Sequence, residues 1–314
     1  MGRVLAMKYI IAGGTGFIGQ ALVRHWLQKG YKITVVGRSK NKIQTLFNNQ
    51  VNGLTWEQLL QQPATSIQEA RAIINLAGEN IGTKIWSTQR KRILIESRVH
   101  PTKTLAKLCA KLGKNSPPLL NASGVGIYGL QDKLTDGAVF TENTPIDDIG
   151  QSFLTKIGQK WEEALKPAKD AGVRTVAMRF GVVLSLHGGV LKQLLPLYKL
   201  GLGGRLGTGQ QPFAWISLID LCAAIDFIIQ HTELVGAVNL VAPHAITQYQ
   251  LAVALSQALN RPCLFKIPAG LLKFFLGEMA DELLLHGQRV VPQKLLAAGF
   301  LFQNANLASA LTKS

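Results

Sequence analysis

Gly13, Gly16 and Gly19 stand at G-x-x-G-x-x-G spacing, directly after the short apolar run KYIIA (8–12). That spacing has a binding chemistry. Gly13 makes a tight turn, Gly16 lets the backbone approach a pyrophosphate, and Gly19 lets the following helix pack close to a sheet. The helix start, with Gly14 in the turn, offers oriented N–H groups and a partial positive charge to phosphate oxygens. A strand before and a helix after give the pattern the context that a bare glycine run lacks. The plainer alternative is a strand–helix turn without a ligand. The second strand, KITVVG (32–37), ends at Gly37, and Arg38 follows. An Asp or Glu there would bind ribose hydroxyls; the planar fork of an Arg suits a 2′-phosphate instead. No acid lies in VVGRSK, and Lys40 and Lys42 add positive charge. These residues predict NADP(H) over NAD(H), against the alternative of an exposed basic loop.

Acid–base chemistry is harder to find. Glu79 and Asn80 fall just past the fourth strand, at the carboxyl end of the sheet where ligands bind, so Glu79 is the best-placed acid. Metal chemistry has no support. The six histidines are scattered with no H-x-x-x-H, and Cys109, Cys222 and Cys263 form no C-x-x-C. Three separated cysteines also fit a reducing cytoplasm better than a disulfide framework.

These side chains need elements to position them. RAIINLAG (71–78), PPLLNAS (117–123) and VRTVAMRF (173–180) read as further buried strands. Helical patterns lie at about 17–29, 88–112 and 152–171, the first with Phe17, Leu22, Trp26 and Leu27 as core candidates and Gly30 as its stop. Strand–helix alternation with short links predicts an α/β fold, a Rossmann-type doubly wound parallel sheet with right-handed crossovers. After about residue 184 the pattern changes. Residues 186–211 read as a helix and a flexible loop, 247–260 as a helix capped by Thr247, and 294–300 as a helix ended by Gly299. There is no repeat, no low-complexity tract and no long polar linker. Residues 7–184 are therefore expected to form the NADP-binding Rossmann domain, with later strands returning from about 213–242. Residues 185–314 are expected to be mainly a smaller C-terminal α/β lobe for substrate.

Charge and apolar runs bound the partners. The net charge is +16, from 34 basic and 18 acidic residues, which attracts anions. Lys103, Lys107, Lys111 and Lys114 recur along one solvated helix face, with few aromatics between the charges, so nucleic acid is disfavoured. The stretch 269–285 is broken by Lys273, Glu278, Asp281 and Glu282 and reads as helix against a core, not as a membrane span. The N-terminus moves straight into a strand, which leaves no room for a signal peptide; Met7 is a plausible alternative start. The expected partner is a small-molecule substrate, with no membrane and no metal; a homodimer stays open.

Larger motifs carry a resemblance. Gly13-x-x-Gly16-x-x-Gly19, Asn75-Leu76-Ala77-Gly78 and Ser123-Gly124-Val125-Gly126-Ile127-Tyr128-Gly129 resemble the extended short-chain dehydrogenase/reductases, which include sugar-nucleotide epimerases and dehydratases. NLAGENI, WSTQRKRILIESRV, LGTGQQPFAWISLIDL, NLVAPHAIT and LLLHGQRVVPQKLLAAGF look like one atypical subgroup, the epimerase family proteins. The likeness runs from Met7 to Leu311, and its C-terminal domain, at about 247–311, has no assigned role. It implies NADP-binding oxidoreductases or epimerases of unknown substrate. By the same resemblance Thr15, Phe17 and Ile18 line the pyrophosphate with Gly13, Gly14, Gly16 and Gly19. Arg38 and Ser39 meet the adenosine phosphate, and Leu76, Ala77 and Gly78 pass the adenosine and its ribose. Ser123 falls near the nicotinamide, and Phe180, Gly181 and Val182 brush the carboxamide. Ala77 and Val182 are equally acceptable as core.

The chain also departs from that superfamily. Its usual Tyr and Lys lie four residues apart on a helix, where the Lys lowers the Tyr pKa. In FLTKIGQKWEEAL (153–165) one register puts Leu154 and Gly158 at those positions, and the other puts Phe153 and Ile157 there. The remaining candidates are Glu79, Ser123, Tyr128 five residues after Ser123, and Arg98; the Tyr-Gly of Tyr128 is often only structural in the resembled family. Relatives often carry Asn at the position of Arg98; a cation there suits an anionic substrate or an enolate. Its alternative is a structural ion pair. Trp215 either covers the pocket or belongs to the core. The leading expectation is an NADP(H)-dependent reductase or epimerase-like enzyme. The rival is a cofactor-binding sensor or regulator without turnover.

Overall fold

The computed structural model describes residues 7–61, 67, 69–135, 137–146 and 152–312; residues 1–6, ahead of the alternative start at Met7, lie outside them. The apolar runs form strands: β1 (Lys8–Ala12), β2 (Lys32–Gly37), β3 (Asn52–Thr55), β4 (Ala72–Asn75), β5 (Leu119–Gly124) and β6 (Thr175–Phe180). Outside that series lie β7 (Val182–Ser185), β8 (Gly204–Leu206), β9 (Pro212–Phe213) and β10 (Trp215–Ser217). The chain then returns as β11 (Gly236–Leu240). The main sheet has seven strands in the order β3-β2-β1-β4-β5-β6-β11, every pair parallel. Strand order reverses between β1 and β4, where Ala12 faces Asn75. Ligands bind at such a reversal, beyond the carboxyl ends of the strands.

Successive strand residues point to opposite faces, and both faces are covered. Ile11 packs in one core with Leu22, Trp26 and Ile225; Ile10 packs in another with Leu105, Cys109 and Leu165. The first core sits under helix α1 (Phe17–Gln28) and the Leu218–Gln230 helix. Asp226 joins those two helices: its carboxylate accepts from His25, Trp26 and Lys29. The Thr88–Leu112 and Lys166–Asp170 helices cover the second face.

A smaller core gathers Leu191, Trp215, Leu251 and Leu255 in the C-terminal region. There β12 (Ile246–Thr247) pairs with β9, and β13 (Phe265–Ile267) pairs with β8. Thr247 and Gln250 cap the Gln248–Ala258 helix reciprocally, satisfying N–H groups at its start.

Two expectations change, and the open choice for Trp215 is decided. The pattern at 152–171 is two helices, Phe153–Glu163 and Lys166–Asp170, because Pro167 starts a new helical turn. Trp215 is core, while Pro212, Phe213 and Ala214 face the cavity described below. The stretch 269–285 is not one core-facing helix: it breaks at Gly277, with φ 57°, into Ala269–Leu276, Glu278–Ala280 and a wide helical turn over Asp281–Leu285. The first of these pieces has no buried residue. No helix among the described residues is long and apolar enough to cross a membrane.

Candidate functional site

The glycine turn shows why its spacing is strict. Gly13 has φ 77°, and a Cβ there would lie 2.6 Å from the carbonyl carbon of Leu76. A Cβ on Gly19 would lie 2.4 Å from the Gly13 oxygen. Close packing thus fixes both ends of the turn. Gly16 is different: it is exposed, and its nearest neighbour to such a Cβ is the Gly13 oxygen at 3.4 Å. The turn is closed toward the sheet and open at the start of α1, the shape a pyrophosphate needs.

A cavity of about 600 Å³ extends from this turn across the carboxyl ends of the strands to the C-terminal lobe. The turn side brings Gly13, Gly16, Phe17, Ile18 and Gly19 to it. Leu76, Ala77 and Gly78 line it after β4, and Phe180, Gly181 and Val182 after β6. Arg98 and Ser123 also reach it. Gly14, Thr15, Arg38, Ser39, Glu79 and Tyr128 do not line it. Gly14 packs on Val35, and the Thr15 carbonyl accepts from Gln20. Ser39 caps the Lys40–Leu46 helix, and Arg38 extends into solvent with its guanidinium 3.9 Å from Glu79.

Each candidate catalytic group has a defined setting. Glu79 lies between two guanidinium groups, Arg38 and, at 3.5 Å, Arg90. Arg98 donates to the Leu94 and Glu79 carbonyls and lies over the Trp161 ring. Its partners are therefore carbonyls and an aromatic face, not an acid. Burial and the neighbouring Arg90 cation pull its pKa down to about 10, against the pull of Glu79.

Ser123 donates to Glu162 Oε1 at 2.8 Å. Glu162 is gripped bidentately by Arg179, with both contacts at 2.8 Å. Arg179 also donates to Tyr128 Oη, which donates onward to Asn239 Oδ1. Burial alone would lower the Arg179 pKa, but Glu162 and Tyr128 outweigh it and the net shift is upward. Burial raises the Tyr128 pKa. Tyr128 is fully buried, with its hydroxyl engaged on both sides, so it is a structural link rather than a cavity-facing acid. The turn Val125–Tyr128 directs it inward.

The Phe153–Glu163 helix turns Leu154, Ile157, Gly158 and Trp161 to the cavity, at helical spacing i, i+3, i+4, i+7. It sits close to the Val125–Tyr128 turn. A Cβ on Gly158 would lie 2.8 Å from the Ile127 Cβ, so this backbone has no room for a lysine stem there.

The sequence reading did not find the groups contributed by the far lobe. Glu282, His286 and Gln288 line the cavity from the opposite wall. Glu282 is buried and accepts from the Phe153 and Leu154 N–H groups, at 2.6 and 2.7 Å. Ser152 takes the next two, through its hydroxyl to Thr155 and its carbonyl to Lys156. The first three N–H groups of this helix, which have no partner within it, are thereby satisfied, and the Lys156 bond starts the regular helical series. Burial raises the Glu282 pKa against those N–H bonds. His286 lies 2.8 Å from both the Asp132 carboxylate and the Asp281 carbonyl. Gln288 donates to the Gly129 carbonyl. No group of metal ligands occurs among the described residues.

Residues 9–240 match the model of the NAD dependent epimerase/dehydratase family. The chain belongs to that family. Residues 267–313 match a second model, a domain of unknown function (DUF1731). The epimerase family protein Mb2239 of Mycobacterium bovis is 37% identical over 303 residues, covering 96% of this chain and 95% of its own length. The crystal structure of the human epimerase family protein SDR39U1 (isoform 2) with NADPH aligns at TM-score 0.85 and 32% identity, covering 97% of this chain and 98% of that one. A dTDP-glucose 4,6-dehydratase from Bacillus anthracis, solved with NAD, aligns at TM-score 0.72 and 18% identity; it shares the fold. Within the epimerase/dehydratase family this chain is an atypical extended member, its sheet completed by β11 and its cavity walled by the second matched domain.

Proposed function

We propose that the chain is an NADP(H)-binding enzyme, reductase or epimerase-like, acting on a small molecule held between the sheet and the C-terminal lobe. The observation that carries this reading is the glycine turn, closed behind by packing and open at Gly16 into a cavity of ligand size. The human relative solved with NADPH supports the choice of cofactor. The residues present fit the group. The start of α1 and Gly16 would hold the pyrophosphate, Leu76 to Gly78 the adenosine side, and Phe180 to Val182 the nicotinamide side. Arg38, extended into solvent beside Ser39, is available to a 2′-phosphate. A bound nicotinamide gives or takes hydride.

The protein's own residues then bind, orient and exclude water. Ser123 spends its proton on Glu162, so its lone pairs accept from a substrate hydroxyl. Arg98 sets a cation in an apolar wall, where an anionic group or an enolate gains most. Glu282, with its raised pKa, is the carboxyl at this cavity best suited to hold a proton. Three free cysteines agree with a reducing, cytoplasmic setting.

A second reading, a cofactor-binding sensor without turnover, is favoured by one observation. Ser123, Arg98, Glu282, His286 and Gln288 all have protein partners already. Rapid mixing of NADPH-loaded protein with carbonyl and sugar-nucleotide panels separates the two: oxidation of the cofactor in a single turnover supports the enzyme. For the cofactor itself, Arg38→Ala is expected to weaken NADPH binding by about 1–3 kcal/mol in a fluorescence titration, as for a charge-assisted bond, and to leave NADH unchanged. Equal losses for both cofactors would remove the 2′-phosphate role.

A further inference from the structure

The strongest unexplained feature lies outside the cavity. The Ala269–Leu276 helix, AGLLKFFL, shows Leu271, Phe274 and Phe275 to solvent at spacing i, i+3, i+4, with Phe274 81% exposed. Leu264 and Phe265 are exposed just before it, and Leu197, Leu200 and Leu202 in the segment that leads into β8, the partner of β13. The two segments form one surface. β13 pairs with β8, Arg261 donates to the Lys199 carbonyl, and Gly207 donates to the Ile267 carbonyl. A monomer seldom leaves so many large apolar side chains together in water without a partner for them.

The charge on this surface has one sign. From His187 to Gln211 and from Arg261 to Gly277 there is no Asp or Glu, while Lys192, Lys199, Arg205, Arg261, Lys266 and Lys273 all fall within those segments. Asp281 pairs with Lys273 and Glu278 with Lys91, so the nearest acids lie at the margin and are engaged. Two copies of this chain meeting here would set lysine against lysine. A surface of anionic headgroups over acyl chains takes both features at once: the phenyl and leucine side chains enter the headgroup boundary, and the basic side chains meet phosphate.

We infer that the 197–207 and 261–276 surface binds the face of an anionic lipid bilayer, as a peripheral contact without a span. The sequence expectation of no membrane partner rested on span length and on reading this helix as core; the structure leaves it uncovered. The contact would set the lobe that carries Glu282 and His286 against the bilayer.

Sedimentation of the full chain with vesicles tests this. Phosphatidylcholine vesicles are compared with vesicles holding roughly 30% phosphatidylglycerol, at low and raised salt. The protein is expected to pellet with the anionic vesicles, to be released by salt, and to stay in solution with the neutral ones. The F274S/F275S variant is expected to lose at least tenfold in partitioning while its melting temperature and NADPH titration stay unchanged. Three results would overturn the inference: no binding to anionic vesicles at low salt, equal binding to neutral ones, or equal binding by the variant. So would a wild-type dimer in sedimentation equilibrium that F274S/F275S dissociates without any vesicle binding, since a second copy would then be the occupant.

Discussion

Replacing Arg179 by Met removes the cation that holds the buried chain Ser123–Glu162–Arg179–Tyr128–Asn239 together. The pair is enclosed, with side-chain exposure of 4% for Arg179 and 11% for Glu162. For charges centred about 4 Å apart at an effective dielectric of 20, the attraction is about 4 kcal/mol. Breaking a buried pair from one side costs about 3–5 kcal/mol, because the remaining charge stays desolvated. Arg179→Met leaves the Glu162 carboxylate with only Ser123 and leaves the Tyr128 hydroxyl without its donor. The expected loss is therefore about 4 kcal/mol, read from urea unfolding followed by far-ultraviolet circular dichroism. Replacing both partners removes the stranded charge, so Glu162→Gln with Arg179→Met is expected to recover at least half of that loss. The coupling energy from the full cycle of single and double variants is the deciding number. A loss under about 1 kcal/mol for Arg179→Met, or a double variant whose loss equals the sum of the singles, would refute the view that this pair acts as one buried unit.

Tyr128→Phe tests the structural role of that hydroxyl: about 1–2 kcal/mol of stability should be lost in the same assay, with the NADPH titration unchanged. A large loss of cofactor affinity with native stability would speak for a cavity-facing role instead. Asp226 supplies a pH dependence. Burial pushes its pKa up, but donors from His25, Lys29 and Trp26 outweigh burial, and its carboxyl lies below the usual range. A depressed carboxyl stabilises the fold above its unfolded pKa of about 3.9 and stops doing so as pH falls through the folded value. Asp226→Asn should cost about 1–3 kcal/mol at neutral pH, and the gap to wild type in thermal melts should close below about pH 4. A gap that persists undiminished in acid would assign the effect to shape rather than charge.

How much of this was legible depended on range. The glycine turn could be read because its constraints are local: residues 13 to 19 meet one another and Leu76 at a strand end. The parallel sheet could be read from runs such as KYIIA and TVAMRF, which are mostly apolar and buried on both faces. Arg179 could also have been found, since an arginine inside a buried strand must meet an acid. Glu282, His286 and Gln288 left no such trace. They reach the cavity only because their lobe folds back onto residues more than a hundred positions earlier, as in the Gln131–Gly287 and Phe140–Val290 bridges. Tyr128 stayed open between an acid and a structural residue because nearness in sequence to Ser123 says nothing of rotation, and one tight turn carries the ring inward. The helix at 269–276 was misjudged for a related reason. Its spacing defines an apolar face, but spacing cannot tell which neighbour, if any, covers it.

The carboxylate that closes the start of the Phe153–Glu163 helix arrives late in synthesis. As the chain leaves a ribosome from its N-terminus, residues 153–163 emerge more than a hundred residues before Glu282. Until then two helix-start N–H groups have only water, and the Leu154 wall lacks its anchor. The same order holds for Asp220, whose carboxylate takes the backbone N–H groups of Gln303 and Asn304. The two matched segments, 9–240 and 267–313, are thus joined by buried carboxylate bonds that run in both directions. A chain cut before Glu282 would present the sheet with that helix start uncapped and with the cavity wall of Glu282, His286 and Gln288 missing.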